Sequence, residues 1–282
     1  MGCSKRYTFQ AMKTCLLTVL LWVALGQSAW ALSDAKFIPP EWPEESTFEF
    51  AILDQQGNRR ATAYYRILQE ESEGRPTYRI KYVGRNEDMQ ESAECIVFRE
   101  TLKPLRSTRK VIAGGQTFFQ DVAYGDGKVI VRSKYEGQEI DEKTHPVGDD
   151  LFDYEELMWI IPQLDFSNDT QLTFNVFSTL AEIETTLIVN QVGNRSLTVN
   201  DFTFDATLFT FNMSMTPYLV YTVMQDGIGV PARIDMGNTT FLNLRLDSSK
   251  TGSKPPPDQP EEKPEVPVSD NPLGLPPPGS RY

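Results

Sequence analysis

From residue 48 onward the chain is a succession of short runs rich in Tyr, Phe, Val, Ile and Thr, separated by glycine-bearing turns. That rhythm restricts it to an almost wholly β fold. Runs at 48–53, 61–68 and 77–83 come first, divided by Gln56-Gly57-Asn58 and Glu73-Gly74-Arg75-Pro76. Gly114-Gly115 then separates 107–112 from 117–124, and Gly125-Asp126-Gly127 separates the latter from 128–134. Both read as hairpins, because glycine accepts the positive φ that tight turns demand. Runs at 172–176, 182–192, 195–200 and 202–213 continue the pattern. Within 202–215, Phe202, Phe204, Ala206 and Leu208 share one parity, while Phe209, Phe211, Met213 and Met215 share the other. A β-bulge near Leu208-Phe209 is expected to bring both sets to the core side.

One segment departs from the β period. Across 149–164, Leu151, Tyr154, Leu157, Met158 and Ile161 recur at helical spacing, and Asp153 followed by Glu156 fits a capping box. Pro162 then stops the helix. The expected fold is therefore mainly β: a curved antiparallel sheet or incomplete β-barrel wrapping a single α-helix near 150–162, in one domain spanning 32–249.

The two ends have different compositions. Residues 1–31 read as a secretory signal: Lys5, Arg6 and Lys13 are basic, 15–26 are apolar, and Ala29-Trp30-Ala31 is a small-x-small cleavage site. The apolar stretch is about 12 residues, short of the roughly 20 a spanning helix needs. No stable membrane span is expected after cleavage. Beyond Ser248, Pro255-Pro256-Pro257 opens a stretch rich in proline and acidic residues that continues to Tyr282. Residues 250–282 are expected to be a disordered spacer with polyproline-II character.

Removing the signal discards Cys3, Cys15 and three basic residues, so the net charge falls from −12 to −15 and Cys95 is the remaining cysteine. A surface of that sign repels nucleic acid. Without a second cysteine no internal disulfide can form, and stability must come from burial. Cys95 lies in Cys95-Ile96-Val97-Phe98, where a free thiol behaves as a small buried hydrophobe.

Catalytic groups are few. His145 is the chain's one histidine and is expected in a solvated loop before the helix. No Gly-x-Ser-x-Gly elbow accompanies it. Asp149, Asp150, Asp153, Glu155 and Glu156 form an acidic cluster, which a helix start favours, and they lack the spaced loop of a calcium site. No metal and no cofactor are expected. Ser107 and Lys110 match Ser-x-x-Lys, but strand positions three apart face opposite ways, which disqualifies the pair. Asn168, Asn194, Asn212 and Asn238 head Asn-x-Ser/Thr sequons, read as chance occurrences.

Three stretches together resemble a family. The run from Asp150 to Pro162 is similar to the helix of an uncharacterised Gram-negative periplasmic β-protein family, a domain of unknown function. Phe204-Asp205-Ala206 and Val230-Pro231-Ala232-Arg233-Ile234 follow in the family's order, and Leu105-Arg106-Ser107 resembles the start of one of its strands. The resemblance spans roughly residues 60–247 and supplies no catalytic residues. It implies a periplasmic location and a shape akin to the lipoprotein-localisation carriers, whose incomplete barrels hold acyl chains under a helical lid. The N-terminal strands and the acidic tail depart from the pattern, which puts any shared partner in doubt.

The resulting expectation is a soluble, exported, non-enzymatic protein that binds a hydrophobic or lipid-like ligand in the concave face of its sheet. Leu157, Met158, Trp159 and Ile161 from the helix, with Phe209, Phe211, Met213 and Met215 from the sheet, are the candidate lining, since Met and Phe make adaptable apolar walls. The same residues suit an ordinary filled core. A structural or assembly protein of the envelope, reaching a partner through its tail, is the second expectation, and an envelope hydrolase the third.

Overall fold

The computed structural model describes residues 33–34, 36–86, 88–148, 150–213 and 216–246. The signal segment, the proline-rich tail, Asp149 and Met215 lie outside the described residues. The strands are β1 (Ser33–Asp34), β2 (Glu45–Leu53), β3 (Arg59–Ser72), β4 (Arg75–Arg85), β5 (Met89–Phe98), β6 (Pro104–Ala113), β7 (Gln116–Gly125), β8 (Lys128–Tyr135), β9 (Asp141–Pro146) and β10 (Leu151–Asp153). A helical segment follows, with α1 (Leu157–Ile160) between the 3₁₀ turns Tyr154–Glu156 and Ile161–Gln163. The second half contains β11 (Gln171–Ser178), β12 (Ile183–Val199), β13 (Phe202–Met213), β14 (Thr216–Gln225), β15 (Ile228–Met236) and β16 (Thr239–Asn243).

All sixteen strands belong to one curved, open sheet, mainly antiparallel. Strands β2 to β9 form one meander and β11 to β16 another. The two are joined where β16 pairs with β2, Leu242 facing Ala51. Strands β1 and β10 add to β11 in parallel. Five of the hairpins turn on two residues that both have positive φ: Glu73-Gly74, Gly114-Gly115, Asp126-Gly127, Asn200-Asp201 and Asp226-Gly227. Their twist matches that of the strands they join.

Three expectations change. The α-helix is one turn long, because Leu151–Asp153 pairs as a strand with β11 and the 3₁₀ turns take up the flanks. His145 stands in β9, not in a loop, with Val129 opposite it. The bulge lies across from the expected place, in β12, where the register shifts between Gln191 and Gly193 opposite Phe209 and Leu208. Strand β13 itself runs unbroken and buries both faces. Phe209 and Phe211 enter the main core, while Phe204, Ala206 and Leu208 pack with Leu197, Val199, Tyr221, Val223 and Ala232 in a second cluster.

The main core centres on Trp159 of α1, which is fully buried. Its ring lies 4.5 Å from that of Phe48, 5.4 Å from Tyr65 and 6.4 Å from Trp42. Trp42 comes from the proline-bearing lead-in to β2, which is fastened by the Tyr78 hydroxyl donating to the Pro40 carbonyl at 2.7 Å. Such aromatic clusters bury large areas and add about 0.5–1.5 kcal/mol per pair beyond area alone.

Candidate functional site: an apolar cavity beside a buried carboxylate cluster

The helical segment begins with the capping box anticipated from Asp153 and Glu156. Asp153 accepts from the Glu155 amide at 2.7 Å, and Glu156 Oε1 accepts from the Asp153 amide at 2.8 Å. Farther along, the segment presses on β15. Gln163 Nε2 donates to the Gly229 carbonyl at 2.8 Å, and a Cβ at Gly229 would stand 2.6 Å from the Pro162 carbonyl oxygen. A glycine is needed there for close approach.

Between this segment and the sheet lies a cavity of about 110 Å³. Tyr154, Glu155, Leu157, Met158 and Ile161 line it from the helical side, and Tyr65, Phe211, Tyr218, Val220, Ile234, Met236 and Phe241 from the sheet. The tyrosine hydroxyls of Tyr154 and Tyr218 lie 3.2 Å apart, and the Phe211 and Tyr218 rings stack at 4.7 Å. Burial pushes the Tyr154 hydroxyl well above its ordinary value, so it stays a neutral hydrogen-bonding group.

Four of the eight lining candidates, Leu157, Met158, Ile161 and Phe211, meet in this cavity. Trp159 points instead into the aromatic core, and Phe209 packs against Phe166 with ring centroids 5.3 Å apart. Met213 lies half-buried against the main core, and Met215 is outside the described residues. The sheet contributors Tyr65, Ile234, Met236 and Phe241 carry no local signal that marks them. They arrive because β16 pairs with β2, a contact between distant parts of the chain.

Beside the cavity three carboxylates are buried within four residues. Asp153 and Glu156 are fully buried, and Glu155 is nearly so. Arg109, itself buried on β6, pairs with Glu155 and, at 3.2 Å, with Glu91 of β5. Tyr124 of β7 donates its hydroxyl to Asp153. Burial raises Glu155 to about 7, with Asp153 and Glu91 pushing the same way and Arg109 pulling back. Burial likewise raises Asp153, against the pull of its bonds from Ser107 and Tyr124. Glu156 rises well above the ordinary carboxylate range, and its Oε2 has no hydrogen-bond partner among the described residues. Desolvation is the main cause, since burial disfavours the charged form.

The remaining reactive types are spoken for. Cys95 is fully buried and burial pushes its thiol up, which makes it a poor nucleophile. Ser107 faces inward, whereas Lys110 is exposed on the opposite side of the same strand. The His145 ring packs 5.4 Å from that of Phe177, with Nε2 3.5 Å from a Glu182 oxygen. Asp150 is exposed and pairs with Lys103 at 3.0 Å. Among the described residues no helix is long and apolar enough to cross a membrane.

Comparison with known proteins places the chain in a family. No curated protein matches it in sequence. A solved structure, the beta-barrel-like protein of a domain of unknown function (DUF1849) from Brucella abortus, covers 71% of this chain and 93% of its own length at 9% identity and a TM-score of 0.41. That likeness is too distant to carry function across. The family model described as "protein of unknown function (DUF3108)" matches residues 51–240. The β-protein domain family of unknown function that the sequence motifs indicated is thereby identified, and the chain belongs to the DUF3108 family.

Proposed function

We propose that this protein is a non-enzymatic, exported carrier that binds an apolar or lipid-like ligand between its helical segment and the sheet curving around it. The observation that supports this reading is the cavity itself: its lining is mainly aliphatic and aromatic, with polar groups supplied by the Tyr154–Tyr218 pair, Tyr65 and Glu155. Binding sites for hydrophobic molecules combine such walls with a few placed polar groups. At about 110 Å³ the space is comparable to the roughly 150 Å³ cavity that accepts a benzene ring. A longer hydrocarbon enters by displacing Met158, whose unbranched side chain repacks readily. The segment that would move is short, and its one α-helical turn is held mainly by tertiary contacts.

In this reading residues 1–31 direct export to the periplasm and are removed. Affinity comes from burial of apolar area, about 25 cal/mol per Å² before the losses of association. Native mass spectrometry of the protein gently extracted from its producing cells should show an adduct of lipid-like mass. The variant Met158→Trp, which fills the cavity, should reduce that adduct at least tenfold while leaving the fold intact by circular dichroism. A clean apo mass, or an adduct that Met158→Trp leaves unchanged, overturns the reading.

A further inference from the structure

The opposite face of the sheet, across β4 to β8, contains a trough of about 560 Å³ that belongs neither to the core nor to the cavity beneath the helical segment. It runs across the strands, over the backbone of Tyr82, Ala93, Arg109, Gln120 and Ser133, between two rows of outward side chains. The first row is Val83, Ser92, Lys110, Phe119 and Lys134, each the direct cross-strand neighbour of the next. The second is Lys81, Glu94, Thr108, Asp121 and Arg132. Four interstrand spacings of about 4.8 Å make the trough roughly 19 Å long.

The two rows differ in charge. In the second, acids and bases neutralise one another: Lys81 lies 3.6 Å from Glu94, and Asp121 takes Arg106 at 2.6 Å and Arg132 at 3.9 Å. The first row contains no acid. Lys110 and Lys134 flank Phe119 on the adjacent strands, and the Lys110 ammonium sits 5.2 Å from the Phe119 ring centroid. Neither lysine has a carboxylate partner among the described residues, in a chain whose net charge is −12. Around them Phe119, Val83 and Ile140 leave large apolar surfaces in water.

We propose that this trough is a second binding site, for a single-chain fatty anion whose carboxylate meets Lys110 and Lys134 beside Phe119 and whose hydrocarbon body runs from there across the strands toward Val83. Charge complementarity selects the head. The floor selects the body, since its backbone N–H and C=O groups are already paired in the β4 to β8 ladders and offer nothing to a peptide main chain. A ligand that asks for no hydrogen bonds along its length suits that surface. The volume lies within the roughly 300–1,000 Å³ usual for small-molecule sites. This site does not depend on the cavity proposed above, and the two are separable by substitution.

The test is isothermal titration of the full chain with laurate below its micellar concentration, beside dodecyltrimethylammonium, which has the same chain and the opposite head. Laurate should bind and the ammonium compound should not. The double reversal K110E/K134E should weaken laurate at least tenfold, and Phe119→Asp should do the same, while Met158→Trp leaves laurate binding unchanged. Both lysines are exposed and have no carboxylate partner among the described residues, so the reversal should not disturb the fold, as a superimposable circular dichroism spectrum would verify. No laurate binding, equal binding of both amphiphiles, or laurate binding that survives K110E/K134E overturns the proposal. Loss on Met158→Trp alone also overturns it, by assigning laurate to the cavity.

Discussion

At the scale of single residues, the molecule depends on Arg109. It is the guanidinium that reaches both Glu155 and Glu91, and it does so from a buried position. Removing one partner of a buried pair leaves an uncompensated charge, at about 3–5 kcal/mol. Arg109→Ala is accordingly expected to lower stability by about that much at pH 7, read as a fall in the urea midpoint. The loss should shrink at pH 4, where Glu155, raised to about 7, is protonated and no longer needs the cation.

The neighbouring carboxyls set a pH dependence whose sign follows from their direction of shift. Glu155 is raised to about 7 in the folded chain, against about 4.3 when unfolded. Between those values the folded state binds the extra proton. The group's contribution is therefore fully present below about pH 4.3 and is lost as pH rises through about 7. Asp153 and Glu156, also raised, act in the same sense. Replacing Glu156 with Gln preserves the acceptor for the Asp153 amide and removes the titration. Urea midpoints for Glu156→Gln should match the parent at pH 4 and exceed it at pH 8; an equal midpoint at pH 8 would show that Glu156 is ordinary.

At the scale of elements, the helical segment is positioned by one local device, its capping box, and one long-range contact, with β15. The box was legible in the sequence because Asp153 and Glu156 stand at the required spacing. The length of the helix was not. Tyr154, Leu157, Met158 and Ile161 fit a helical stripe, but Leu151 and Phe152 pair with β11, a contact no local pattern shows. The contact with β15 was equally hidden, since Gly229 looks like any turn glycine until Pro162 is seen against it. Gly229→Ala should force the segment away from the strand and lower stability by about 1–3 kcal/mol, the usual range for overpacking. Faster hydrogen exchange confined to residues 154–163 would localise the effect.

Strand β13 teaches a related lesson about parity. Two apolar sets of opposite parity suggested a bulge that would gather them on one side, which assumed that only one face of the sheet is covered. The structure instead covers both faces of β13 and places the irregularity at Val192 of its partner. Parity on a strand reports which residues face together; whether the second face is dry depends on what else packs there.

For the whole molecule, the sheet remains open because, among the described residues, no ladder joins β9 to β1 or β10. Side chains span that gap: Gln120 Nε2 donates to the Thr179 carbonyl at 3.0 Å, Lys143 pairs with Glu182 at 2.9 Å, and Leu151 and Phe177 pack on Val122, Val129 and Val131. Side-chain closure is weaker than a ladder, and its exposed ion pair is worth at most about 1 kcal/mol and is screened by salt. Glu182→Ala should therefore hasten amide exchange in β9 while leaving β13 to β15 unchanged, and high salt should produce the same pattern in the parent. Equal exchange in β9 would assign the closure to the apolar contacts.

What can be read along the chain is what neighbours in sequence decide. Two-residue turns such as Gly114-Gly115 and Asp126-Gly127, the alternation of the strands between them and the Asp153–Glu156 cap are properties of stretches a few residues long, where steric and hydrogen-bonding preferences act directly. Folding brought in everything that depends on distant segments meeting. The pairing of β16 with β2 completes the cavity wall, Arg109 meets Glu155 across 46 residues of chain, and the rows that flank the outer trough form only when five strands lie in register. Local preferences decide which elements exist. Burial, acting over the whole surface at once, decides which faces they share, and so where an acid is stranded from water or a cavity is left between helix and sheet.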